Sequence, residues 1–124
     1  MLKLMVVDDS NIIRRKIERC NENSNQFEVV GTAANGLEAI KVFKRVNPDV
    51  VTMDLTMPEM DGIECISALI DINPEILILV ISALSDKATG IEALEKGARG
   101  FVCKPFSDED LVDALVEITD GLNE

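Results

Sequence analysis

Asp8 and Asp9 stand side by side at the end of the apolar run LKLMVV, and three later apolar runs close on Asp54, Ser82 and Lys104. Adjacent carboxylates repel, and nothing basic follows them until Arg14. Such a strand end is either turn punctuation or a grip on something positive. If the strand ends converge, two carboxylates about 4 Å apart at an effective dielectric near 20 repel by roughly 4 kcal/mol, so a cluster of three needs a cation to stay ionised. Mg²⁺ suits an oxygen-only donor set that keeps waters and leaves room for phosphate oxygens. A metal beside a carboxylate, with a lysine and a hydroxyl nearby, is a phosphoryl-transfer arrangement: Asp54 attacks phosphorus, and Lys104 and Ser82 contact the transferring oxygens.

Each residue alone has a plainer reading. Asp-Asp-Ser after a strand commonly caps a helix, a terminal aspartate is turn chemistry, and Ser82 could be a satisfied hydroxyl at the core's edge. Lys104 would pass for a solvated side chain and Phe101 for core packing. What favours chemistry is coincidence: acid, acid, hydroxyl and lysine fall at the ends of four different strands.

The elements that must position them follow from apolar periodicity. LKLMVV reads as a strand, followed by a helix opened by Ser10 with Ile13, Ile17 and Cys20 on one face. QFEVVGTA is a second strand; Asn35, with Glu38 three residues on, caps a helix whose inner face holds Leu37, Ile40 and Phe43, and Asn47-Pro48 stops it. DVVTMD, ILILVIS and GFVCK supply three more strands. Between and after them come a helix with Ile63, Ile66, Leu69 and Ile70, one from about Asp86 to Lys96, and one started by Ser107 and Asp110 with Leu111, Ala114, Leu115, Ile118 and Leu122 along a stripe. Strands apolar at successive positions belong to a parallel sheet covered on both faces, so the expected class is a doubly wound α/β fold of five βα units. Ligands of such sheets bind beyond the carboxyl ends of the strands.

A chain of 124 residues suits one domain, residues 1–124, with no linker and no room for an output domain. With 23 acidic against 12 basic residues the formal net charge is −11, which disfavours nucleic acid. The longest apolar run, Ile76 to Ile81, falls far short of a bilayer span, so no membrane insertion and a cytoplasmic location are expected. Cys20, Cys65 and Cys103 lie apart with no C-x-x-C pair and no histidine anywhere, which points to reduced, buried thiols and removes histidine-assisted nucleophiles.

VVDDS, AANGLEAI, PDVVTMDLTMPEMDGIE, VISA and GARGFVCKPF, in this order and spacing, resemble the receiver domain of bacterial two-component response regulators along essentially the whole chain. The resemblance implies a flavodoxin-like sheet of order 2-1-3-4-5, which makes the first and third strands neighbours. It implies that Asp54 is the phosphoacceptor and that Mg²⁺ is arranged by Asp8, through water, with Asp9, Asp54 and the backbone carbonyl of Thr56. It further implies that Lys104 contacts the phosphate and precedes a cis peptide to Pro105, and that Ser82 and Phe101 fill the switch positions. Ser82 would move toward the phosphoryl group, Phe101 would swing inward, and the face of the fourth helix, fifth strand and fifth helix would change partners. Phe101 lacks the hydroxyl of the tyrosine common in chemotaxis members. Thr56 and Leu84 stand where the family tunes acyl phosphate lifetime, and Gly36, Gly62 and Gly97 look like requirements of backbone geometry.

The implied partners are a histidine kinase as phosphodonor and a downstream protein, in the chemotaxis subgroup the flagellar motor switch, with the chain a monomer or weak dimer. A phosphorelay intermediate or orphan regulator shares these motifs. A Mg²⁺-dependent phosphohydrolase of the haloacid dehalogenase type would want an acid where Thr56 stands, and a pseudo-receiver would lack the active-site set that is present.

Overall fold

The structure, a computed structural model, describes residues 1–22, 26–55, 62–83 and 87–120. Strands and helices alternate strictly: β1 (Leu2–Val7), α1 (Asn11–Asn21), β2 (Phe27–Ala33), α2 (Gly36–Val46), β3 (Val50–Asp54), α3 (Gly62–Ile72), β4 (Leu77–Ala83), α4 (Lys87–Glu95), β5 (Gly100–Lys104) and α5 (Asp108–Ile118). All pairings are parallel and the sheet order is β2-β1-β3-β4-β5, the order expected from the resemblance.

Helix starts fall where the sequence places caps. Ser10, Asn35 and Ser107 each accept a hydrogen bond from the backbone N–H three residues on, at 3.3, 2.8 and 3.0 Å. At Ser107 the box is reciprocal, because Asp110 accepts the Ser107 N–H at 3.1 Å. Asn47 ends α2 in the left-handed region, φ 47°, where a short polar side chain is tolerated. Asp86, Leu84 and Leu122 lie outside the described residues.

Alternation along each strand divides the core in two. Met5, Val7, Val51, Met53, Ile78 and Val80 face α2, α3 and α4, where they meet residues such as Phe43, Ile66 and Ala93. Leu4, Val6, Val50, Leu79, Ile81 and Val102 face α1 and α5, against Ile17, Leu111 and Leu115. In β2 the register jumps between Val29, opposite Leu4, and Gly31, opposite Met5, so that Val30 forms a bulge. Phe27 consequently packs on the α1 and α5 side, while Ala33 packs on the other.

Two expectations need correction. Leu37 is 49% exposed; the buried face of α2 runs through Ala39, Val42 and Phe43, because the helix rotates to lay Val42 and Phe43 on the sheet. Among the thiols only Cys65 is buried; Cys20 and Cys103 are partly accessible, since one lies at the margin of the core beneath α1 and α5 and the other on the edge strand β5.

Candidate functional site

Because every strand is parallel, their carboxyl ends meet at one edge of the sheet. Val7 lies opposite Met53, so the next residues of β1 and β3, Asp8 and Asp54, come side by side. Asp54 is opposite Ile81, Ser82 opposite Cys103 and Ala83 opposite Lys104, which brings hydroxyl and lysine to the same rim.

One carboxylate oxygen from each of Asp8, Asp9 and Asp54 lies within 4.8 Å of the others. Asp8 and Asp54 are 1% and 2% exposed, Ser82 is 1% exposed, and Asp9 opens to solvent. Lys104 Nζ stands 3.3 Å from Asp8 Oδ2 and 3.7 Å from Asp54 Oδ1, so one ammonium bridges the two buried carboxylates. Three acids against one lysine leave the cluster formally anionic in a poorly solvated place. Asp8 Oδ1 accepts the Ser10 N–H at 2.8 Å, whereas Asp8 Oδ2 is buried and, among the described residues, has no hydrogen-bond partner, the lysine lying beside it without bonding geometry. An orphaned carboxylate oxygen within an oxygen-only donor set fits a hard divalent cation such as Mg²⁺.

The supporting contacts explain how the rim is held. The Asp8 N–H donates to Ala33 O at 3.0 Å, and the Leu55 N–H donates to Ile81 O at 3.3 Å, extending the ladder past both acids. Gly62 opens α3 against the end of β3: a Cβ there would lie 2.6 Å from Leu55 Cα and 2.7 Å from Asp54 O. The Lys104-Pro105 peptide is cis, as the resemblance implies.

Two contributors were not visible in the sequence. Arg14 donates to the Asp8 carbonyl and to Asn11 Oδ1, pinning the loop that carries both acids. Lys16 donates to the Phe106 carbonyl and lies 4.5 Å from that ring's centroid, tying α1 to the segment after Lys104. Lys16 falls between Ile13 and Ile17 on the inner stripe, and a lysine in that place is the one signal that could have marked it. Thr56 lies outside the described residues. Phe101, opposite Val80, is two residues short of the rim and packs on the α2 to α4 side of the core.

The sequence profile of the response regulator receiver domain matches residues 4–116. The chain is 42% identical to the chemotaxis protein CheY of Listeria monocytogenes over 93% of its own length and 96% of that protein's. It is 39% identical to the CheY of Thermotoga maritima, covering 94% and 97% of the two chains. In three dimensions it resembles the crystal structure of a CheX-CheY complex with BeF3 and Mg²⁺ from Borrelia burgdorferi, with TM-score 0.87, 32% identity and coverage of 94% and 88%.

Proposed function

Starting from the fact that this chain belongs to the response regulator receiver domain family, we propose that residues 1–124 form a single receiver domain, switched by phosphorylation of Asp54. The observation that carries this reading is the convergence of buried Asp54 with Asp8, Asp9 and Lys104.

In the proposed reaction an Asp54 carboxylate oxygen forms a bond to the phosphorus of a phosphohistidine on a kinase. The P–N bond breaks, the freed imidazole takes up a proton, and Asp54 becomes an acyl phosphate. Asp8, Asp9 and Asp54, with the Thr56 carbonyl, would hold Mg²⁺. When bound, the ion neutralises charge that builds on the phosphoryl oxygens. Lys104 Nζ already lies 3.7 Å from Asp54 Oδ1 and needs only a short displacement to contact an added phosphoryl oxygen. Ser82 donates its hydroxyl to another, and Phe101 follows it inward, altering the surface formed by α4, β5 and α5. The domain signals by contact and does not turn over a substrate.

The relatives named as chemotaxis proteins support placing the switch in chemotaxis; a histidine kinase as donor, the flagellar motor switch as target and a cytoplasmic location complete the proposal. Among the described residues no helix is long and apolar enough to cross a membrane. Intact-mass spectrometry after incubation with Mg²⁺ and acetyl phosphate should show one phosphoryl increment in the wild type and none in Asp54→Asn or after chelation. An unmodified wild type would remove Asp54 as acceptor and put the pseudo-receiver reading in its place.

A further inference from the structure

Gly90 is the fourth residue of α4, inside a nine-residue helix where glycine is an unfavourable choice. Its place is explained by Phe101. A Cβ built at residue 90 would stand 1.9, 2.5 and 2.8 Å from Cε2, Cδ2 and Cζ of the Phe101 ring, within the space the ring occupies. The phenyl edge therefore lies directly on the backbone of α4. Phe101 sits opposite Val80 in the ladder, and Ser82, two residues along β4 from Val80, shares that strand's α4-facing side by alternation. Ser82, Phe101 and Gly90 are thus layered between sheet and helix. Phe101 is only partly buried, so one side of the ring is open to solvent.

We propose that Gly90 is the positioning residue of the Phe101 switch: the missing side chain is the seat that lets the ring rest against α4, and any Cβ there drives the ring outward. The proposal rests on reading Phe101 as the element that answers phosphorylation. A ring clash of this kind is relieved by side-chain rotation and not by backbone movement. Substitution at 90 therefore shifts a population and leaves the fold in place.

The chain has four phenylalanines, so 4-fluorophenylalanine labelling gives four ¹⁹F resonances, with that of residue 101 identified by Phe101→Leu. In Gly90→Ala the Phe101 resonance should move and gain a solvent isotope shift while the other three stay in place. Stability should show a change of sign. On a Phe101→Ala background, Gly90→Ala should raise the folding equilibrium about fivefold, the intrinsic preference of helix interiors for alanine; with Phe101 present that gain should vanish or reverse. Addition of Mg²⁺ and beryllofluoride should shift the Phe101 resonance in the wild type and shift it less in Gly90→Ala. An unmoved resonance, together with the same fivefold gain in both backgrounds, would overturn the seat. A wild-type Phe101 resonance that ignores Mg²⁺ and beryllofluoride, while the sign change persists, would instead overturn Phe101 as the responding element and with it the part Gly90 plays in the response.

Discussion

Thr52 stands two residues before Asp54 in β3, fully buried, and among the described residues its hydroxyl oxygen has no hydrogen-bond partner. A desolvated, unpaired hydroxyl costs about 1–3 kcal/mol, so Thr52→Val, which keeps the β-branched shape, should raise stability by about 1 kcal/mol in urea denaturation; a loss would mean the hydroxyl is satisfied. Cys20 makes the opposite case, a polar group with a defined partner. Its thiol donates to Asp108 Oδ1 at 3.1 Å. Burial pushes the thiol up from 9.0 to about 11, the hydrogen bond and charge of Asp108 adding to the effect and Lys16 opposing it. The folded state thus holds this proton more tightly than the unfolded chain does. The resulting stability is fully present below about pH 9 and is lost as pH rises through about 11. Urea midpoints for wild type and Cys20→Ser should therefore converge or cross over that interval; parallel curves would show that Cys20 does not titrate as described.

At the scale of elements, the rim depends on how helices begin. Gly62 brings the first turn of α3 onto the backbone of Asp54 and Leu55, and backbone atoms cannot rotate away as a side chain can. Gly62→Ala should cost about 1–3 kcal/mol, the usual penalty of overpacking, and should also slow acetyl phosphate labelling of Asp54 through displacement of β3. Full stability with full labelling would show that the junction yields at no cost. Most elements were legible in the sequence, because apolar period and caps act over three or four residues: Ser10, Asn35 and Ser107 all cap as their types suggest. The convergence of Asp8, Asp54, Ser82 and Lys104 at one rim was legible only with a strand order supplied by resemblance. Leu37 was misread because Leu37, Ile40 and Phe43 make an acceptable stripe, and only packing on the sheet chooses the neighbouring one through Ala39, Val42 and Phe43. The grip of Arg14 on the Asp8 carbonyl left no periodic trace, and that of Lys16 on Phe106 spans 90 residues of chain.

For the molecule as a whole, a net charge of −11 surrounds a site that is itself anionic. Long-range attraction then adds to the affinity of the acidic cluster for Mg²⁺, and added salt screens it. Mg²⁺ at ten times its dissociation constant should stabilise the wild type by about 1.4 kcal/mol, while Asp54→Asn should be more stable than wild type in chelator and gain less from the ion. Raising KCl should weaken Mg²⁺ binding several-fold; salt-independent affinity would confine the attraction to the three carboxylates. The bulge in β2 has its own consequence at this scale. Up to Val29 the odd-numbered side chains of β2 point toward α1 and α5, yet Gly31 and Ala33 point toward α2, where a Cβ at Gly31 would already press on Val42. One surplus residue at Val30 has advanced the strand by half a pleat, and the advance delivers the Ala33 carbonyl to the Asp8 N–H. An edge strand that carries none of the three acids thereby sets the phase of the first one, and shortening it by that single residue would turn its last turn-facing carbonyl out of step with the loop it anchors.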